Sequence, residues 1–206
     1  MQKQIHIIAG ANGSGKTTKA DLLLPKGFLE TNEFVNADNI ARGISPYNFE
    51  SRSVKDQAYR QTRKRIYDLL AAQKNFVYET TLSGLTDYNI ISKANDLGYL
   101  VNLIFLYTDN PELNVARVAV RVMEGKHNVP EPIIKRRYPK TMDNLINRYL
   151  PIVDSATIFN SSNFELNLEK DIIAEKSATG IKIFKEEIWN NLLTISKKNE
   201  RSTKGN

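Results

Sequence analysis

The chain has 206 residues, a hydrophobic content of 41% and a formal net charge of +6. This size and apolar content predict a single domain over residues 1–196, with a basic tail over residues 197–206 that we expect to be disordered. Because the sequence has no cysteine, disulfides, thiolate metal sites and a thiol nucleophile are excluded. No apolar stretch approaches the roughly 18 residues that span a bilayer, which predicts a cytoplasmic protein without a membrane partner.

The first segment has the pattern of a buried strand that leads through a glycine-rich loop into a helix. Residues 4–9 are mainly apolar, and residues 16–24 have a helical pattern that ends before Pro25. His6, inside this strand, is expected to be a core histidine with satisfied hydrogen bonds. The intervening loop fits G-x-x-x-x-G-K-[ST]. The loop and the threonine after it comprise Gly10, Ala11, Asn12, Gly13, Ser14, Gly15, Lys16, Thr17 and Thr18.

This loop predicts a site for nucleotide phosphates. Its glycines allow successive backbone N–H groups to point inward, and the following helix N-terminus adds a favourable dipole. Lys16 is expected to contact the β- and γ-phosphates of ATP, and Thr17 to supply a hydroxyl to Mg²⁺. GTP remains an alternative nucleotide. A glycine-rich turn without a ligand is the structural alternative, but it would leave a lysine without a use.

Strands and helices alternate along the rest of the chain. Strands are predicted at residues 34–38, 76–79, 99–107 and 155–160. Helices are predicted at residues 51–72, 85–97 and 109–123, and another helix follows the break over residues 125–132 and ends near residue 149. A terminal hairpin over residues 172–184 and a helix over residues 185–196 follow. This order predicts an α/β fold of the P-loop NTPase, nucleoside-kinase-like type, with a doubly wound parallel sheet, a helical lid, a C-terminal β-hairpin and a helix.

Two carboxylates end the predicted second and third strands, where they should open onto the crevice beside the loop. Asp38 is the candidate group that accepts a proton from an attacking hydroxyl, and its alternative role is to cap a helix that begins near Asn39. Glu79 is expected to hold a water of the Mg²⁺ shell or an acceptor hydroxyl, with Thr80 and Thr81 as hydrogen-bonding neighbours. Capping of the next helix is the alternative for this group.

Basic side chains concentrate in residues 115–150, where two predicted helices flank a break that contains glycine and proline. We interpret this segment as a lid whose guanidinium groups close over the transferring phosphoryl group and exclude water. A solvated basic helix face is the alternative. The residues assigned to the lid are Arg117, Arg121, His127, Arg136 and Arg137.

These motifs together resemble the zeta-toxin-like P-loop kinases over residues 5–160. The resemblance rests on residues 9–18, 35–38, 78–84 and 121–138. It implies ATP- or GTP-dependent phosphorylation, and the best-known members of that family act on UDP-N-acetylsugars. The partners implied are a small-molecule acceptor, for which a nucleotide sugar is one candidate, and an antitoxin protein.

The resemblance also implies roles for individual residues. By that resemblance, the catalytic residues are Lys16, Asp38, Arg121 and Arg137. The residues on the acceptor side are Asn36, Asp38, Glu79, Thr80 and Thr81, and those on the metal side are Thr17 and, through water, Glu79.

The predicted function is an ATP-dependent kinase that phosphorylates the alcohol group of a small molecule. A polynucleotide kinase or RNA-binding ATPase is an alternative, and a non-catalytic nucleotide switch is another. The nucleic-acid alternative is motivated by the basic residues of the long helix, which are Arg52, Arg60, Arg63, Lys64 and Arg65. The nearest approach to a Walker-B run is Asp109 after an apolar strand, and a capping role before Pro111 explains that residue better.

Overall fold

The computed structural model describes residues 2–204 of the chain, and side chains as far as residue 197. Over this range the chain forms a seven-stranded sheet with apolar clusters on both faces. The predicted doubly wound α/β fold with a terminal hairpin and helix is confirmed. The strands are β1 Gln4–Gly10, β2 Glu33–Val35, β3 Phe76–Thr80, β4 Leu100–Tyr107, β5 Ser155–Asn160, β6 Ile172–Ser177 and β7 Gly180–Ile183.

The helices surround this sheet, and none of those described combines the length and apolar character that a bilayer span requires. They are α1 Lys16–Leu23, α2 Phe28–Thr31, α3 Ala37–Ile44, α4 Arg52–Ala71, α5 Thr86–Asp96, α6 Pro111–Met123, α7 Glu131–Asn144 and α8 Glu186–Lys204. Helix α8 therefore continues past the predicted end at residue 196. The side chains beyond residue 197 lie outside the described part of the chain, as do residues 205–206.

The strand order is β2-β3-β1-β4-β5-β6-β7. Strands β1 to β5 are parallel, whereas β6 and β7 are antiparallel to their neighbours. Strand β1 lies between β3 and β4, and Ile8 of β1 is in register with Glu79 of β3. Since parallel strands end at the same sheet edge, this order brings the glycine-rich loop beside the ends of β3 and β4, with the end of β2 one strand further along the sheet.

Alternate side chains of β1 enter different apolar clusters. Ile5 and Ile7 are buried in the larger cluster, and Ile8 packs in the second cluster, which also contains Ala20 of α1. Each fully buried side chain of this size contributes roughly 1.5–3 kcal/mol to the free energy of folding. This two-sided burial fixes β1 rigidly beneath the loop that follows it.

His6 is buried as predicted, but the prediction that its hydrogen bonds are satisfied is wrong. Its ring packs edge-on against Phe28, with 4.5 Å between the ring centroids. Within residues 2–197, neither ring nitrogen has a hydrogen-bond partner. Burial without such partners lowers the pKa of His6 from 6.5 to about 4.

The segment around Asp38 differs from the predicted strand over residues 34–38. Strand β2 ends at Val35 and α3 begins at Ala37, so that Asp38 lies in the first turn of a helix. Asn36 is the cap, because its side-chain oxygen accepts hydrogen bonds from the backbone N–H groups of Asp38 and Asn39, at 2.8 and 3.2 Å. The alternative in which Asp38 caps this helix is therefore wrong.

A similar correction applies to the start of α6. Asn110 accepts a hydrogen bond from the backbone N–H of Leu113 at 2.9 Å and caps the helix before Pro111. Asp109 precedes this cap, so the predicted capping role of Asp109 is wrong.

Candidate active site

The glycine-rich loop packs closely against the end of β4 and against α6. Gly10 has φ 147°, and a Cβ atom there would lie 2.5 Å from the carbonyl oxygen of Leu106. Gly13 has φ 83°, and its Cβ would lie 2.5 Å from the carbonyl oxygen of Asn114. Both positions therefore require glycine for backbone conformation and for space.

Lys16 curls over this loop from the first position of α1. Its ammonium group donates to the carbonyl oxygens of Gly10 and Ala11, at 2.9 and 3.0 Å, and the residue is only 7% exposed. Burial lowers the pKa of Lys16 although Glu79 acts in the opposite direction. The ammonium group is thus held where phosphate oxygens would replace backbone carbonyls as acceptors.

Glu79 of β3 connects the loop to α3. One carboxylate oxygen, Oε2, accepts hydrogen bonds from the Thr17 hydroxyl at 2.6 Å and from the Asn36 amide at 2.8 Å. The other oxygen, Oε1, lies 3.9 Å from the Lys16 ammonium nitrogen. A hydroxyl and a carboxylate held this close provide the hard oxygen ligands that Mg²⁺ prefers.

The remaining oxygen ligands of such an ion would come from elsewhere. Among the residues that the structure describes, no group of three or more His, Cys, Asp and Glu side chains has the arrangement of a metal site. Mg²⁺ commonly uses one or two carboxylates together with water and substrate phosphates. Thr17 and Glu79 therefore fit an ion that arrives with a nucleotide.

Asp38 faces the lid from the first turn of α3. Its Oδ1 atom lies 3.8 Å from Nε2 of His127, which belongs to the loop between α6 and α7. The other ring nitrogen of His127 lies 2.6 Å from a carboxylate oxygen of Glu50, outside hydrogen-bonding geometry. Glu50 also accepts the backbone N–H of Asn128 at 3.1 Å. This loop is therefore tied to the body of the protein beside Asp38.

Two lid arginines line the cleft, one from each lid helix. Arg121 of α6 donates from Nε to the carbonyl oxygen of His127 at 2.8 Å. A second guanidinium nitrogen of Arg121, NH2, is buried and has no hydrogen-bond partner within the described chain. Arg137 of α7 also lines the cleft, and its pKa is lowered by burial and by neighbouring Arg136.

Arg117 and Arg136, which the sequence assigns to the lid without a choice among its arginines, do not line this cleft. Arg117 donates to the carbonyl oxygens of Ser161, Ser162 and Asn163, at 2.6, 2.8 and 3.1 Å. One helical turn separates Arg117 from Arg121, and this rise of about 6 Å allows the two side chains to reach different partners. Arg136 is exposed, because consecutive helical residues differ by about 100° in direction.

The turn after β3 forms another wall and is held by the lid. Thr80 donates to a carboxylate oxygen of Asp87 at 3.0 Å, and its own oxygen accepts the backbone N–H of Leu82 at 3.2 Å. Thr141 of α7 donates to the carbonyl oxygen of Thr81 at 2.9 Å. This turn is therefore fixed from both sides, although Leu82 has the uncommon φ of 53°.

The cleft enclosed by these elements has a volume of about 360 Å³. Predicted site residues that line it are Asn12, Lys16, Asn36, Asp38, Glu79, Thr80, Thr81, Arg121, His127 and Arg137. Gly10, Ala11, Gly13, Ser14, Gly15, Thr17 and Thr18 belong to the adjoining loop and helix start, and Thr17 and Thr18 are exposed. The glycine-rich loop and the cleft thus meet at Lys16 and Glu79.

The family comparison agrees with this arrangement. A family model described as zeta toxin matches residues 1–166 of the chain. The protein belongs to the zeta toxin family. The chain is also similar in sequence to an uncharacterized protein of Haemophilus influenzae. The two sequences are 30% identical over 138 residues, which cover 67% of this chain and 94% of that protein.

Solved structures share the fold of this zeta toxin family member. The crystal structure of AvrRxo1-ORF1:-ORF2 with ATP superposes with a TM-score of 0.70 at 16% identity, and the match covers 93% of this chain and 63% of that chain. This chain therefore spans less than two thirds of the length of that relative. A structure of the PezAT chromosomal toxin-antitoxin system of Streptococcus pneumoniae has a TM-score of 0.65 at 16% identity, over 100% of this chain and 88% of that chain.

Sequence reasoning missed the part of this zeta toxin cleft that α4 and α5 supply. These lining residues are Tyr59, Thr62, Arg63, Ile66, Thr86, Asp87 and Ile90, and Tyr78 of β3 lies in the same lining. The available signal was an i, i+4 spacing of Tyr59 and Arg63 on one face of α4, but the same spacing occurs on solvated helix faces. Only the packing of α4 and α5 beside β3 distinguishes the two cases.

Most other basic residues of α4 are neutralised by acidic neighbours. Arg65 donates to Glu33 at 2.7 Å, and Lys64 donates to Asp68 at 2.8 Å. Arg52 lies 4.0 Å from Asp56. The helix therefore lacks the continuous unpaired basic stripe that favours nucleic acid.

Proposed function

We propose that this zeta toxin family protein transfers the γ-phosphoryl group of ATP to a hydroxyl of a small molecule bound in the cleft. The observation that carries the proposal is that Lys16 of the glycine-rich loop, Asp38, Glu79, Arg121 and Arg137 line one cleft. A site with these parts can position both reactants and stabilise developing negative charge.

The nucleotide would bind along the loop and the start of α1. Backbone N–H groups of residues 11–17 and the Lys16 ammonium group would contact the phosphates. The segment that follows β5 is a candidate for base recognition, and Arg117 braces it through the carbonyl oxygens of residues 161–163. GTP is the alternative nucleotide in this proposal.

Mg²⁺ would be held through Thr17 and, directly or through water, Glu79. A bound Mg²⁺ supplies positive charge that neutralises the phosphate oxygens during transfer. The Thr17 hydroxyl, which now donates to Glu79, would turn its lone pair toward the ion.

The chemical step assigns a distinct task to each polar group. Asp38 accepts the proton of the acceptor hydroxyl while the acceptor oxygen forms its bond to the γ-phosphorus. The bond between that phosphorus and the β–γ bridging oxygen breaks, and ADP leaves with this oxygen. Arg121 and Arg137 pair with the equatorial oxygens, and the unpartnered guanidinium nitrogen of Arg121 is available for that contact.

Family membership supports two finer proposals about partners. A nucleotide sugar such as a UDP-N-acetylsugar is a candidate acceptor, because the motifs resemble those of kinases that act on such molecules. An antitoxin protein is a candidate partner, because the PezAT structure is that of a toxin-antitoxin system.

The test incubates the protein with γ-labelled ATP and a metabolite extract, and identifies labelled products. We expect a labelled acceptor with the wild-type protein and none with Lys16→Ala. Asp38→Asn should reduce transfer by about 10²–10⁴-fold while nucleotide affinity is retained. Full transfer by Asp38→Asn would contradict the role assigned to that carboxylate, and release of inorganic phosphate alone would contradict the kinase proposal.

A further inference from the structure

The wall of the cleft formed by α4 contains an arginine that forms no ion pair with a carboxylate of the described residues. Arg63 lines the cleft, and its Nε atom is buried without a hydrogen-bond partner among the described residues. Within residues 2–197, no carboxylate lies within 4.0 Å of its guanidinium group, in contrast to Arg52, Lys64 and Arg65 on the same helix. A buried donor of this kind is unfavourable unless something accepts its hydrogen.

Tyr78 and Asp87 line the cleft together with Arg63. The Tyr78 hydroxyl is buried and, within the described chain, has no hydrogen-bond partner. Burial raises its pKa well above 10, so the hydroxyl keeps its proton at neutral pH. Burial raises the pKa of Asp87 to about 6, so this carboxylate keeps most of its negative charge at neutral pH and acts on Arg63 from beyond ion-pair distance.

Tyr59 shapes this wall from one helical turn earlier. Its ring centroid lies 5.9 Å from the guanidinium carbon of Arg63, and its hydroxyl is 2.7 Å from that of Thr86 on α5. These contacts link α4 to α5 across the cleft. They restrain the neighbourhood of Arg63 without neutralising its charge.

We propose that Arg63 binds an anionic group of the acceptor, with the Tyr78 hydroxyl as a second donor. The inference rests on the proposed kinase function, since it concerns the molecule that shares the cleft with Asp38. It gives the acceptor a chemical class: a hydroxylated molecule with a phosphate or carboxylate group, in preference to a neutral sugar or polyol. Arginine suits this task because its planar donors match the oxygens of either group.

The test measures binding without phosphoryl transfer, so that its result does not depend on catalysis. The protein is saturated with Mg²⁺ and a non-hydrolysable ATP analogue, which occupies the loop and the lid arginines. Glucose, glucose 1-phosphate and glucuronate are then titrated by calorimetry into the wild-type protein, Arg63→Gln and Arg60→Gln. Arg60 is a matched control because it lies three residues earlier on α4 and is exposed.

We expect one or both anionic probes to bind at least about tenfold more tightly than glucose to the wild-type protein and to Arg60→Gln. Arg63→Gln should lose this preference. The probe that binds more tightly distinguishes a phosphate from a carboxylate. Equal affinity for the three probes, absence of binding by both anions, or an unchanged preference in Arg63→Gln would overturn the proposal. A protein that shows the preference but labels no metabolite would instead contradict the kinase proposal alone.

Discussion

At the scale of single residues, Glu79 links the start of α1 to the start of α3. One of its oxygens accepts hydrogen bonds from Thr17 of α1 and from Asn36, the cap of α3. An ion that recruits this carboxylate would compete with both donors. We infer that metal binding and the position of α3 are coupled through this side chain.

The Glu79 and Asp38 positions could be predicted to differing degrees from sequence. The sequence predicts Glu79 at the end of a strand, and the structure confirms this, because apolar residues before Glu79 and glycine after it delimit a short strand. The sequence also predicts Asp38 at a strand end, whereas Asn36 caps a helix that already includes Asp38. Asn and Asp have similar capping preferences, so the sequence alone could not decide which of them begins the helix.

His6 gives a prediction about stability and pH. The folded protein holds this imidazole neutral down to about pH 4, whereas the unfolded chain protonates it near pH 6.5. The contribution of His6 to stability is therefore fully present above about pH 6.5 and falls as the pH decreases toward 4. The whole shift corresponds to about 3 kcal/mol.

Substitution of His6→Leu should remove this part of the pH dependence. Urea unfolding of both proteins at about pH 5 and about pH 7.5 provides the measurement. We expect the variant to lose less unfolding free energy than the wild type between the two conditions. An equal loss in the two proteins would show that the buried imidazole does not control acid stability.

At the scale of elements, sequence periodicity predicts most helices and strands, but it does not predict which helix faces line the cleft. The predicted strand over residues 155–160 matches β5, and the long helix matches α4 within one residue at each end. Their apolar repeats are clear, and glycine, proline or polar residues mark their ends. The role of Arg63 could not be predicted, because which polar residues of α4 face a cleft depends on α5, far along the chain.

The start of α3 gives a prediction that separates capping from contact with Glu79. Asn36→Ala loses the cap and the hydrogen bond to Glu79, whereas Asn36→Ser keeps a capping oxygen but is too short to reach Glu79. In urea unfolding, we expect the unfolding free energy of Asn36→Ala to be about 1 kcal/mol lower than that of Asn36→Ser. Both variants should lose transfer rate to a similar extent, measured with labelled ATP.

The two readouts make this experiment selective. Full activity in Asn36→Ser would mean that the contact between Asn36 and Glu79 is dispensable for transfer. Equal stabilities of the two variants would mean that the side-chain oxygen does not stabilise α3.

At the scale of the whole molecule, the lid and the acceptor wall are mechanically connected. Helix α7 carries Arg137 and also donates hydrogen bonds from Thr141 and Asn144 to carbonyl oxygens of the turn after β3. The loop between α6 and α7 contacts Glu50 near the start of α4. A movement of the lid would therefore alter both the position of Arg137 and the turn that forms one wall of the cleft.

The contact between Glu50 and the lid loop leads to a prediction about the access of water to bound ATP. Burial tends to raise the pKa of Glu50, but hydrogen bonds from Lys55 and the Asn128 backbone lower it below its ordinary value. Glu50→Gln should weaken the hold on the lid loop by roughly 0.5–1.5 kcal/mol, or roughly 2- to 10-fold in the closed-state equilibrium. We expect faster hydrogen exchange at the Asn128 amide and more ATP hydrolysis relative to transfer.

Glu124→Gln is the matched control for this prediction. Glu124 pairs with Lys126 inside the lid loop, at 2.7 Å, so its loss leaves the contact between lid and body intact. This variant should show the wild-type rate of hydrogen exchange at the Asn128 amide. It should also show the wild-type ratio of ATP hydrolysis to phosphoryl transfer. The same increase in hydrolysis in both variants would indicate a general effect of charge removal.

The crowding around Gly10 and Gly13 limits which variants can serve as inactive references. An added methyl group would collide with backbone oxygens of Leu106 or Asn114, and neither oxygen can move without displacing β4 or α6. A glycine substitution in this loop would consequently disturb the scaffold before any nucleotide is added. Loss of activity in such a variant would report a disturbed fold. Lys16→Ala, in contrast, removes the ammonium group that we propose binds phosphate, and it leaves the backbone conformation of the loop unchanged.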